Sequence, residues 1–139
     1  MFKLFTKRKI YQATDLTINE SHIHGKGVFA GINFKTGDIV EIAPVILLDK
    51  TERDLLQYTS LYVYYYLIAG NNAAVAVGLG YSSLYNHAGS ANAVYSISIK
   101  EKTIQIKACK KIRIGEEITL NYNGLPDDEM PVYFPDIST

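Results

Sequence analysis

Gly78-Leu79-Gly80-Tyr81-Ser82-Ser83-Leu84-Tyr85-Asn86-His87-Ala88-Gly89-Ser90-Ala91-Asn92 is the stretch on which the rest of the chain turns. It sets small residues, two tyrosines and an Asn-His-x4-Asn core between apolar segments. Two amides and an imidazole within seven positions carry more hydrogen-bonding capacity than an ordinary core strand uses. The flanking glycines let the backbone turn sharply or approach a ligand closely. The stretch reads either as the floor of a binding site or as a polar loop whose Asn side chains close turns. Two further stretches decide between these readings.

The first lies upstream. Leu16-Thr17-Ile18 has the look of a short strand, and His22-Ile23-His24-Gly25-Lys26-Gly27-Val28-Phe29-Ala30 follows it. Gly-x-Gly before an apolar run can bring backbone amides close to a ligand or form a plain hairpin turn. A third glycine and a following helical pattern are missing, so this is not a dinucleotide-binding fingerprint. The second lies downstream, in Arg113-Ile114-Gly115-Glu116-Glu117-Ile118-Thr119-Leu120-Asn121-Tyr122-Asn123-Gly124. Gly-Glu makes a turn, after which Ile118, Leu120 and Tyr122 share one face of a strand. A tyrosine at a strand end can point its hydroxyl into a cavity or bond a core carbonyl.

Between these stretches the periodicities are mixed. Ile39–Leu48 is β-rich but interrupted by Pro44, which predicts an edge strand or two short strands. Thr51-Glu52-Arg53-Asp54 has the character of a capping box, and apolar positions at 55, 58, 61, 62, 65 and 68 fit a helical face, so a helix is expected over 51–69 with Gly70-Asn71-Asn72 as its stop. Its tyrosine stripe serves as packing surface or as an interface with a second copy. Residues 73–79 read as a strand. Residues 94–99 and 103–109 alternate with period two and are joined by Lys100-Glu101-Lys102, which predicts a hairpin.

A chain of 139 residues, 47% hydrophobic and 20% charged, is long enough for a single domain with a real core. Fourteen basic residues balance fourteen acidic ones, so no global field draws the chain to nucleic acid or membrane. A lone cysteine, Cys109, excludes an internal disulfide and a cysteine-rich zinc site, and three histidines with only two close in sequence do not make a metal centre. Residues 1–9 are basic but lack the apolar run of a signal peptide. Cytoplasmic location is the default expectation, with the nucleus open to a protein acting on chromatin.

Gly-Lys-Gly-Val-Phe-Ala at 25–30, Tyr-Asn-His-x4-Asn at 85–92 and Gly-Glu-Glu-Ile-Thr-x-x-Tyr at 115–122 together resemble the SET domain, a family of protein-lysine methyltransferases that use S-adenosylmethionine. Order and spacing agree across residues 14–124, and the look is that of the compact viral and bacterial members without flanking zinc modules. The resemblance implies a mainly β fold of several short antiparallel sheets with a C-terminal pseudoknot, in which the segment ending at Tyr122 threads beside Asn86-His87, and a small helical insert at 51–69. Residues 1–13 would be a basic tail, and 125–139 a C-terminal tail that closes the lysine channel as a lid carrying Tyr133 and Phe134.

The resemblance also implies roles. Gly25, Lys26 and Gly27 would contact S-adenosylmethionine largely through backbone, and Asn86 and His87 would hold its adenosyl part. Tyr122 would be the active-site tyrosine, with Tyr81, Tyr85, Tyr95 and Leu120 shaping the channel and Glu116 fixing the turn. The usual Asn-His-Ser-Cys-x-Pro-Asn of the family reads here Asn-His-Ala-Gly-Ser-Ala-Asn, keeping Asn86, His87 and Asn92, and Leu120 replaces the usual aromatic two residues before the catalytic tyrosine. The implied substrate is an exposed lysine on a histone-like or other basic protein, with S-adenosylhomocysteine as product, no metal, and a homodimer through the tyrosine-rich helix as a further expectation. The alternatives are a SET fold that binds cofactor or partner without turnover, and a non-enzymatic β-clip module.

Methyl transfer to an amine needs the neutral amine, and free lysine titrates near ~10.4. An apolar, tyrosine-walled channel lowers that value by desolvation. A phenol titrating near ~10 is not the bulk base at neutral pH, so Tyr122 is expected to orient rather than deprotonate, and activity is expected to rise from pH 7 toward 9.

Overall fold

The computed structural model describes residue 13, residues 15–68, 70–124 and residue 127, and all structural statements below concern these. Tyr133 and Phe134, and with them the expected lid, lie outside the described residues, as does nearly all of the basic N-terminal segment.

Nine strands, one short α-helix and one 3-10 turn make up the fold. In chain order they are β1 (Leu16–Glu20), β2 (Lys26–Ala30), β3 (Ile39–Leu48), α1 (Lys50–Leu56), the 3-10 turn Ser60–Val63, β4 (Tyr65–Ile68), β5 (Asn71–Gly78), β6 (Asn86–His87), β7 (Ala93–Ser98), β8 (Thr103–Ala108) and β9 (Glu117–Leu120). Strand pairing follows one continuous path, β1-β2-β9-β7-β8-β3-β5-β4, with β6 attached to β9. The pairs are antiparallel except those of β9 with β6 and β7. The last strand among the described residues is thus inserted between β2 on one side and β6 and β7 on the other. The core is aliphatic: Val28, Ile104, Ile106, Ile112, Ile118 and Leu120 are all fully buried, and each buried side chain of that size contributes about 1.5–3 kcal/mol.

The expected hairpin is present, with Ala93 facing Ala108 and Ser98 facing Thr103, and Lys102 takes the left-handed conformation in its turn (φ 52°). Pro44 does not split or edge β3. Residues up to Pro44 pair with β8 and those from Val45 pair with β5, so the proline falls at the change of partner, where its missing N–H breaks neither ladder.

The helix expected over 51–69 is a correction. Helix α1 ends at Leu56, and its capping box is Asp49 with Glu52 rather than Thr51 with Asp54. Thr59 then caps the 3-10 turn by accepting from the Leu61 N–H, and 65–68 is a strand paired with β5. The apolar run satisfies two periods at once. Tyr66 and Ile68 point inward while Leu67 is 58% exposed, which is strand alternation, and a run rich in tyrosine favours the pleated surface. Gly70 (φ 75°) and Asn71 therefore close a hairpin rather than stop a helix.

Candidate active site

Asn86 stands at the start of the two-residue β6, whose parallel pairing places it opposite Thr119. Its buried Nδ2 donates to the carbonyls of His24 (3.0 Å) and Lys26 (3.2 Å) and to Oε1 of Glu117 (2.8 Å). Every partner is an acceptor, which fixes the orientation of the amide. Glu117 also accepts the Ser21 hydroxyl at 2.8–2.9 Å, and Ser21 in turn receives the Ile23 N–H. One amide and one carboxylate therefore clamp the loop 21–27 onto the first residue of β9. Gly27 is a glycine for this reason: a Cβ there would lie 2.1 Å from Glu117 Oε1. Gly25, at φ 47°, makes the preceding turn, while the Lys26 side chain is exposed.

His87 pairs with Leu120, and its Nδ1 accepts the backbone N–H of Tyr122 at 3.1 Å. That bond requires a neutral imidazole with its proton on Nε2, and burial pushes its pKa below the usual histidine value. The two rings lie 5.2 Å apart. Tyr122 itself follows β9 rather than ending it. Its hydroxyl donates to the Tyr85 carbonyl at 2.6 Å, and burial first, with Tyr64 and Glu117 adding to it, raises the phenol pKa to about 12.

Around this hydroxyl the tyrosines divide. Tyr95 is half-buried, its ring 4.7 Å from that of Tyr66, and a Cβ on Gly124 would lie 3.7 Å from its hydroxyl. Tyr66 is buried and donates its hydroxyl to the Ser82 carbonyl. Its pKa is raised well above the usual value by burial, and Tyr122, Tyr95 and Glu41 push it in the same direction. Tyr85 contributes its carbonyl to the site, but its ring lies in the core with the hydroxyl on Glu41 at 2.6 Å. Tyr81 is half-buried and donates its N–H to the same carboxylate. Leu120 is fully buried in the core.

Asn92 acts as a rung of the sheet: its side chain donates to the Glu117 carbonyl and accepts from the Thr119 N–H, both at 2.9 Å. With Ala88 N–H on the Leu120 carbonyl and Asn121 Nδ2 on the Gly89 carbonyl, it fastens 117–122 against the loop 86–92, the proximity implied by a threaded segment. Glu116 accepts the Arg113 N–H and fixes the turn. Cys109 is half-buried beside the Ala91 carbonyl, and burial raises its thiol pKa, as expected of packing.

Sequence reasoning missed Glu117, Ser21, Tyr64 and Tyr66. Only the first carried a local signal, as the inner member of a Gly-Glu-Glu turn.

A model of the SET domain matches residues 25–123, which spans Asn86, His87, Asn92, Glu117 and Tyr122 but not Ser21, Ile23, His24 or Gly124. The chain belongs to the SET-domain family. It is 30% identical over 108 residues to a Schizosaccharomyces pombe histone-lysine N-methyltransferase specific for lysine 37 of histone H3, a match covering 77% of this chain and 72% of the relative. A crystal structure of a candidate histone methyltransferase from Plasmodium falciparum is 30% identical and superposes with a TM-score of 0.64, covering 80% of this chain and 94% of that one. The fold also matches the Chaetomium thermophilum Polycomb Repressive Complex 2 in an autoinhibited conformation bound to S-adenosylmethionine, with TM-score 0.66, 22% identity, and 83% of this chain against 16% of that one. This SET domain is a protein-lysine methyltransferase. Among the described residues, no three His, Cys, Asp or Glu side chains cluster as metal ligands and no helix is long and apolar enough to cross a membrane.

Proposed function

We propose that Tyr122, Asn86, His87 and the loop 24–27 form the catalytic and donor-binding centre, and that the substrate is a lysine on a histone or another basic protein. The observation that carries this reading is the Tyr122 hydroxyl, held as a donor to the Tyr85 carbonyl at 2.6 Å beside the clamp of Asn86 and Glu117.

The residues suit the donor molecule. S-adenosylmethionine carries a transferable methyl on a sulfonium, and its amino group is a second cation. The clamp is rich in acceptors, including the Glu117 carboxylate and the carbonyls of His24 and Lys26. Asn86 and Glu117 hold the loop Gly25-Lys26-Gly27 in place before any ligand arrives, which lowers the ordering cost of binding. His87, neutral, holds the Tyr122 backbone rather than exchanging protons with substrate.

Tyr122 remains protonated across the working pH range. With its own proton directed at a carbonyl, a phenol oxygen meets an amine as acceptor, which turns the nitrogen lone pair toward the methyl donor. Alignment of this kind is the main lever for an in-line displacement. Tyr66 and Tyr95 supply the apolar, desolvating wall that favours neutral lysine.

Three finer readings accompany this one. The histone preference draws support from the histone methyltransferases that the chain resembles. The segment 125–139 acts as a lid, whose removal after Gly124 is expected to lower activity without unfolding the domain. Self-association through the tyrosine-rich surface draws support from Tyr58, 81% exposed, and from its exposed neighbours Leu55, Leu61 and Tyr62; sedimentation of wild type against Tyr58→Ser tests it, and a monomer at all concentrations would dismiss it.

Transfer of labelled methyl from S-adenosylmethionine to purified histones and to a basic-protein panel, with Tyr122→Phe as control, tests the main reading. Labelling of lysines strongly slowed in the variant is expected. Labelling at an undiminished rate after the substitution would remove Tyr122 from the centre.

A further inference from the structure

Glu41 is the lone ionisable residue in the run Ile39–Leu48, and its side chain is fully buried. No Lys or Arg among the described residues forms an ion pair with it. A buried carboxyl without a cation is expensive to desolvate, and burial raises its pKa despite the hydrogen bonds it accepts. An apolar residue of similar size would fill the space without that cost, so core packing does not explain the choice.

The contacts do. Oε1 accepts the Tyr81 N–H at 2.9 Å and Oε2 accepts the Tyr85 hydroxyl at 2.6 Å. A carboxylate is the side chain of this length that accepts on both oxygens at once. Tyr81 and Tyr85 bracket a tight turn in which Leu84 N–H bonds the Tyr81 carbonyl at 2.8 Å. Two carbonyls of this turn face the site: that of Tyr85 receives the Tyr122 hydroxyl, and that of Ser82 receives the Tyr66 hydroxyl.

We propose that Glu41 is a positioning residue for methyl transfer: by gripping both ends of the Tyr81–Tyr85 turn it fixes the carbonyl toward which the Tyr122 hydroxyl is aimed. The inference rests on the reading of Tyr122 given above. Glu41 acts through two intermediaries and touches neither donor nor lysine. Its effect therefore falls on the alignment of the reacting groups and not on the loop 24–27, which is held separately by Asn86 and Glu117.

Two variants test this. Glu41→Gln keeps the volume but replaces one acceptor oxygen with a donor, and Tyr85→Phe removes a single hydroxyl and stands in if Glu41→Gln does not fold. Each is expected to lower kcat roughly tenfold, within the range that small misplacements of catalytic groups produce, while the affinity for S-adenosylmethionine, measured by calorimetry, is unchanged. In a Tyr122→Phe background neither variant should lower kcat further. Additive losses, or a parallel loss of donor affinity, would assign Glu41 to general stability and overturn the proposal.

A second readout needs no substrate. With ring-labelled tyrosine, the Tyr122 Cζ resonance should move in Glu41→Gln and Tyr85→Phe and stay in place in Glu52→Gln, a control in the helix cap. A Tyr122 resonance unmoved by both would overturn the proposal even if turnover fell. Should Tyr122→Phe leave transfer intact, the reading of Tyr122 fails and the catalytic role of Glu41 with it, whereas a moved resonance would still establish the structural link.

Discussion

A Cβ on Gly27 would lie 2.1 Å from Oε1 of Glu117 and 2.8 Å from its Cδ. The glycine in the second position of Gly-Lys-Gly is set by a carboxylate ninety positions later in the chain, which the same oxygen ties to Asn86. Upstream loop, central Asn-His and downstream Gly-Glu-Glu meet at one point, and the three sequence stretches are three sides of one contact.

Gly27→Ala should therefore push Glu117 off Ser21 and Asn86. Overpacking of this kind costs about 1–3 kcal/mol. Donor affinity is expected to fall along with the denaturant midpoint, and calorimetry beside a urea titration reads both. Gly25→Ala is the informative comparison: a Cβ there meets nothing within 4 Å, so its cost comes from the positive φ alone.

Asn86→Ala removes the amide that bonds two carbonyls and the Glu117 carboxylate. Leaving such acceptors without their donor costs about 1–3 kcal/mol, and the loop 21–27 loses its anchor. The expected signature is a fall in donor affinity larger than the fall in kcat at saturating donor. An unchanged donor Kd would show that the loop is held by Ser21 alone.

How much of this was legible beforehand depends on how far apart the partners lie. The hairpin of β7 and β8 could be read because alternation over six residues a side admits one period, and the three motifs could be read because each is contiguous. The helix over 51–69 misled because 55, 58, 61, 62, 65 and 68 satisfy a helical period while 65–68 also alternate, and pairing with β5 decided for the strand. Glu117 was hidden because its meaning comes from Ser21 and Asn86, 96 and 31 positions away. Glu41 did leave a trace, as one carboxylate in an apolar run, but the tyrosines that give it a purpose lie 40 and 44 positions further on.

His87 makes stability and activity depend on acidity. Its pKa in the folded protein is lowered by burial, whereas in the unfolded chain it lies near ~6.5. The unfolded chain thus binds the proton more readily, so the contribution of His87 is fully present above about pH 6.5 and is lost as the pH falls through the folded-state value. Protonation also removes the acceptor of the Tyr122 N–H. Unfolding free energies measured from pH 8 to 5 should fall less steeply for His87→Gln than for wild type, after the carboxylates common to both are subtracted. An imidazole that titrates at or above 6.5 by NMR would contradict this.

The alkaline side separates Tyr122 from the base. Burial first, with Tyr64 and Glu117 adding to it, pushes its phenol up to about 12, and the Tyr85 carbonyl accepts its proton. A rise in transfer rate between pH 7 and 9 must then come from the lysine amine, whose free value near ~10.4 is lowered by the tyrosine-walled channel. Tyr122→Phe is expected to lower kcat by about a hundredfold, as loss of alignment does, while the residual activity keeps the same rise with pH. Single-turnover rates of both proteins across this range measure it, with the methyl-transfer step isolated from product release. A rise present in wild type and absent in the variant would make the Tyr122 hydroxyl part of the proton path. A rise common to both confines Tyr122 to orienting the amine and leaves deprotonation to the channel and solvent.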